Sequence, residues 1–113
     1  MKLTRKILAC DPSLTNLGLC IMDTETRHFK TKSIPRPRKD MHQTAVISHA
    51  YHYIHALLRD KDYDLFVLED YAFALAGKSR AITVLAELSG CLKLAAMDAG
   101  RRCITVPDRK SVV

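Results

Sequence analysis

Apolar and polar positions fall in blocks along the chain. Lys6 to Asp11 is a short apolar run that ends in an acid. Thr15, Asn16 and Gly18 then mark a turn. Leu17 to Met22 is a second apolar run, and Asp23 to Arg27 is polar and turn-like. Phe29 to Ile34 alternates loosely, which predicts a third, more exposed strand. Together these runs predict an antiparallel meander with its first strand the most buried.

A proline-broken basic loop follows, Pro35 to Lys39. From Met41 to Arg59 the pattern becomes helical. Val46, Ala50, Ile54, Leu57 and Leu58 form its apolar face. Leu65 to Leu68 is a continuous apolar run before Glu69 and Asp70, as in a strand buried on both faces. After Gly77 and Lys78, Ser79 is a candidate N-cap for a second helix from Arg80, with Gly100 placed to end it. Cys103 to Val106 is a last short strand, closed by Pro107. The predicted order is β-β-β-α-β-α-β, an α/β class with a mixed sheet. No internal repeat or interdomain linker breaks the 113 residues, so a single domain is expected.

Composition narrows the function classes. With 48% hydrophobic and 27% charged residues, disorder is excluded. Charges interrupt every apolar stretch well short of the roughly 18 residues a membrane span needs. The basic start at Lys2, Arg5 and Lys6 is followed only by Ile7 to Cys10 before Asp11-Pro12, too short for a signal peptide. The expected location is cytoplasmic, in a bacterial or phage-infected cell. Cys10, Cys20, Cys91 and Cys103 stand singly in apolar runs, which suits buried thiols rather than a zinc site. A net charge of +6 points to a polyanionic partner.

Asp11 and Glu69 are the informative pair. Each is an acid at the carboxyl end of an apolar strand, the sheet edge where open α/β sheets bind ligands. If the strands are neighbours, two carboxylates meet, and a cation is needed for both to stay charged. Mg²⁺ or Mn²⁺ suits such oxygen donors and activates water for attack on a phosphate. The alternative is that each acid only ends its strand and caps a loop.

Ile7 to Ser13 with Asn16 to Ile21 resembles the opening of the RuvC-like Holliday junction resolvases: an apolar strand, Asp-Pro-small, then a glycine entering the second strand. Val67 to Phe73 resembles their second acidic motif. Arg80 to Ala96, with Glu87-Leu88-Ser89-Gly90, resembles the following helix, most closely in phage-type members. Ile104 to Pro107 and Lys110 resemble the segment after it. The resemblance implies a ribonuclease-H-like fold and a homodimer that cuts branched DNA with Mg²⁺, in recombination or phage DNA processing. It implies metal-binding roles for Asp11 and Glu69, a basic group near the scissile phosphate in Lys110, and a base-stacking aromatic in Tyr71 or Phe73. It also implies further acids on a C-terminal helix after a glycine-containing turn. The sequence ends at Val113, before that turn, so the expected domain is C-terminally incomplete. A catalytically inactive dimeric DNA-binding remnant is therefore an alternative, as is a ribonuclease-H-like nuclease acting on another nucleic acid. An actin-like ATPase would need a second phosphate-binding segment, for which the chain has no room.

Further candidate DNA contacts are Arg36, Arg38 and Lys39 with Lys30 and Lys32, and Lys78 and Arg80 at the start of the second helix. The alternative for the strand lysines is a solvated edge kept from aggregating. His42, His49, His52 and His55 lie on the polar side of the first helix, as a solvated face. The second helix carries two apolar stripes: Ile82, Leu85, Ser89, Leu92 and Ala96, then Val84, Leu88, Cys91 and Ala95. The second stripe is expected to remain exposed in one chain and to form the dimer interface across residues 80–99.

Overall fold

The computed structural model describes residues 5–13, 16–35, 40–60, 62–70 and 79–107. Seven elements follow the predicted order: β1 (Lys6–Asp11), β2 (Asn16–Asp23), β3 (His28–Pro35), α1 (Gln43–Asp60), β4 (Leu65–Asp70), α2 (Ser79–Asp98) and β5 (Arg102–Pro107). The strands form one mixed sheet in the order β3-β2-β1-β4-β5. β1, β2 and β3 pair antiparallel as a meander, and β4 joins β1 in parallel, as does β5 with β4.

β1 is the middle strand, with two strands on either side of it. At its start Asp64 acts as a clamp. Its carboxylate accepts the backbone N–H groups of Arg5 (2.8 Å) and Lys6 (2.9 Å), and its own N–H donates to the Lys6 carbonyl at 2.8 Å. This pins the β1–β4 register, with Ile7 beside Leu65 and Cys10 beside Leu68.

The β2–β3 hairpin turns through Thr24–Arg27. The Asp23 carboxylate accepts the N–H groups of Glu25 and Thr26 at 3.0 and 3.2 Å. The bond from Thr26 is the main reason that this carboxyl sits below its ordinary pKa, with Glu25, Arg5 and Lys6 adding to it against partial desolvation. Arg27 closes the turn at φ 62°.

Helix α1 starts where the His42 ring nitrogen accepts the Thr44 N–H at 3.1 Å, an N-cap by an imidazole that the pattern did not flag. Helix α2 ends in a Schellman motif. Gly100 takes φ 74°, its N–H donates to Met97 at 2.9 Å, and the Arg101 N–H donates to Ala96 at 2.9 Å. The Arg101 guanidinium then donates to the Leu58 carbonyl at 2.9 Å, which ties the ends of the two helices together. The Tyr51 hydroxyl donates to the Asp98 carboxylate across the same pair.

Both helices pack on one face of the sheet. Leu8, Cys10, Leu17, Leu19, Phe66 and Leu68 point into a single core with Ile47, Ala50, Ile54 and Leu58 of α1 and Leu88, Leu92, Ala95 and Ala96 of α2. The opposite face carries no helix among the described residues. Val67, expected to be covered on its face of β4, is only half-buried there.

One expectation about α2 is corrected. Val84, Leu88 and Ala95, the stripe expected to remain exposed, are buried within the chain, and Cys91 is partly buried against the same core. The other stripe is covered too, at Ser89, Leu92 and Ala96. The reason is that α2 lies in the angle between the sheet and α1 and needs an apolar surface for each. What faces outward is instead Ala86, Gly90, Leu94 and Met97, with Leu94 50% and Met97 71% exposed.

Candidate active site

The clamped register carries directly to the carboxyl edge of the sheet. Continued by one residue past Cys10 and Leu68, it sets Asp11 beside Glu69. Side chains alternate along a strand, so with Cys10 and Leu68 in the core, Asp11 and Glu69 emerge together on the helix-free face. Both line one open cleft of about 600 Å³. Gly18 on β2 stands directly across from Asp11, and Val106 on β5 across from Glu69.

Cys10 lies beneath the pair. Its thiol is pushed up to about 12, first by burial and then by the negative charges of Asp11 and Glu69. Both carboxylates therefore act on one buried point from adjacent strands. Glu69 is half-buried and Asp11 is exposed at the mouth of the cleft.

This arrangement fits a hard divalent cation held by two carboxylates, with water completing its shell. No group of three or more His, Cys, Asp or Glu side chains converges among the described residues. The α1 histidines do not form a ligand set. His42 caps the helix, His55 stacks on Tyr51 with ring centroids 5.8 Å apart, and His52 meets the edge of Tyr51 at 5.1 Å.

Of the site residues read from the sequence, Asp11 and Glu69 are brought together. Arg80 lies in α2, and its side chain lies outside the described residues. Lys110, Tyr71, Phe73, Lys78, Arg36, Arg38 and Lys39 also lie outside them. Lys32 lines the cleft, and Lys30 is exposed on the same edge strand. Sequence reasoning missed Thr31 and Ser33, which line the cleft from β3, and read Gly18 as part of a turn and as the entry to the second strand, whereas it lies within β2. The β1–β2 register brings Gly18 to Asp11, the β2–β3 register adds Thr31 and Ser33, and no local pattern carries either.

The sheet order and the mix of antiparallel and parallel strands belong to a known architecture. The chain superimposes on Thermus thermophilus RuvC in complex with a Holliday junction substrate with a TM-score of 0.79. The two are 12% identical, and the match covers 94% of this chain and 66% of that one. The chain has the ribonuclease-H-like fold of the RuvC resolvases. A second Thermus thermophilus RuvC structure matches at TM-score 0.72 and 15% identity, covering 90% of this chain and 63% of RuvC. The yeast mitochondrial Holliday junction resolvase matches at 0.67 and 11%, covering 95% and 52%. The chain thus spans less than two thirds of the length of these RuvC-fold structures. No family model matches the sequence, and no curated protein is similar to it in sequence. No helix among the described residues is long and apolar enough to cross a membrane.

Proposed function

We propose that the chain is the core of a metal-dependent, structure-selective endodeoxyribonuclease that acts on branched DNA. One observation carries this reading: Asp11 and Glu69 share a cleft at the carboxyl ends of two neighbouring parallel strands. Two carboxylates so placed repel unless a cation lies between them. Mg²⁺ or Mn²⁺ bound there would polarise a phosphate and lower the pKa of a coordinated water. The protein's own part is to hold both carboxylates in register, through the Asp64 clamp, and to keep the cleft open to a strand of DNA.

Branched DNA as the ligand is supported by the +6 charge of the chain and by the Thermus RuvC structure that contains a Holliday junction substrate. Paired incision of a junction also calls for two sites. We place the self-association surface on the outward face of α2. There Leu94 and Met97 are exposed beside Gly90 and Ala86, whose small size lets a second helix approach closely.

Incision of a labelled four-way junction with Mg²⁺ tests the reading. Asp11→Asn is expected to lower the rate by roughly 10³-fold, which corresponds to about 4 kcal/mol of transition-state stabilisation. Junction binding should persist. A variant that cuts at the wild-type rate removes Asp11 from the chemistry. A wild-type chain that binds the junction but never cuts it favours a binding-only protein. The absence of a third converging ligand among the described residues makes that the second reading.

A further inference from the structure

The cleft has two unlike sides. On the β4–β5 side of the carboxylates the sheet presents Val67, Val106 and Ile104, all apolar. On the β2–β3 side the same face presents Gly18 and the hydroxyls of Thr31 and Ser33. Ser33 is held in place by Asn16, whose side-chain amide donates to its oxygen at 2.8 Å. The Ser33 hydroxyl proton therefore remains available to a ligand. Strand β3 has Lys30 and Lys32 and no acid, and Lys32 lines the cleft.

We infer that this β2–β3 shelf is the seat of the sugar–phosphate backbone of the strand to be cut, and that Gly18 sets whether a strand fits there. The inference rests on the nuclease reading and adds to it a place and an orientation for the substrate. A phosphodiester backbone is polar and hydrated, so it is drawn to the hydroxyl side of the cleft and not to the valine side. Phosphate oxygens accept hydrogen bonds, which Thr31 and Ser33 can donate, while Lys32, at the border of the cleft, adds positive charge nearby. Gly18 matters because it lies directly across from Asp11. A Cβ added there would lie 3.5 Å from the Asp11 Cβ and 3.8 Å from its carbonyl oxygen, ordinary contact that displaces nothing. An alanine is therefore tolerated by the fold. A branched side chain would extend into the cleft, over the ground a strand must occupy beside the carboxylate.

Amide NMR of the ¹⁵N-labelled chain, titrated with a short-armed four-way DNA junction and Ca²⁺ in place of Mg²⁺, locates the strand. Perturbations centred on Gly18 and on Thr31 to Ser33 are expected. Perturbations confined to Ile104 to Val106, with the shelf silent, would overturn the shelf and leave the nuclease reading standing. No perturbation anywhere would overturn both. Two variants provide a second readout: Gly18→Val, and the double variant Thr31→Val with Ser33→Ala, which changes only exposed groups. Each is expected to weaken junction binding on the order of tenfold, the double variant through lost hydrogen bonds to a charged group and Gly18→Val through a side chain that occupies the strand's place. Mn²⁺ binding should stay near wild type. Junction affinity unchanged in the double variant would refute the shelf even if Gly18→Val failed to fold.

Discussion

Gly100 and Arg27 both hold positive φ, and their side chains set opposite expectations. Gly100 pays no steric cost in the left-handed region, so Gly100→Ala should lower stability by about 1 kcal/mol. Arg27 has a Cβ in the same region, so Arg27→Gly should raise stability, by up to about 1 kcal/mol after the entropy of a glycine in the unfolded chain. Urea denaturation of the two variants checks both signs. Cys10 gives a chemical test of the buried point beneath the carboxylates. Its thiol pKa is raised from 9.0 to about 12 by burial and by Asp11 and Glu69. Its contribution to stability is therefore complete below pH 9 and is lost as the pH climbs towards 12. Iodoacetamide at pH 8 should modify half-buried Cys20 well before Cys10, and equal rates would contradict the burial. At this scale Asp11 and Glu69 were legible because an acid that ends an apolar run is a local signal. Thr31 and Ser33 were not, since nothing within β3 distinguishes a hydroxyl that faces a cleft from one that faces bulk water.

All seven elements were legible as elements, because each is bounded by its own polar or glycine-containing break. Their ends differ by a residue or two, as at His42, where an imidazole takes over the capping role usually filled by Ser, Thr, Asp or Asn. Helix α2 shows where periodicity stops being informative. Two apolar stripes indicate that two faces are covered, but not whether the cover comes from the same chain. Here α1 provides it, so Leu88 is fully buried and is a core residue. Leu88→Ala should cost about 2–5 kcal/mol in a denaturant melt, with no need of a partner to explain it. Met97, 71% exposed on the outer face, is the better probe of association. Met97→Glu should leave the melt unchanged and shift the sedimentation of any dimer to that of a monomer. A dimer that survives it places the contact elsewhere.

Across the whole molecule, one face of the sheet is built into a core and the other holds the site. The asymmetry was hidden in the sequence, because the continuous apolar run of β4 reads as buried on both sides while Val67 in fact borders the cleft. The meander order and the parallel partner of β1 set the address of each acid, and the Asp64 clamp fixes the register between them. Everything proposed about chemistry follows from that one juxtaposition, and it can be measured without any DNA. Mn²⁺ binding by calorimetry, on wild type, Asp11→Asn, Glu69→Gln and the double variant, forms a complete cycle. If one ion lies between the two carboxylates, each single change should weaken binding on the order of tenfold or more. The double variant should then lose less than the sum of the two, because either loss already breaks the shared site. Affinities that are unaffected by the single changes, or losses that simply add, would show that Asp11 and Glu69 do not hold a metal together.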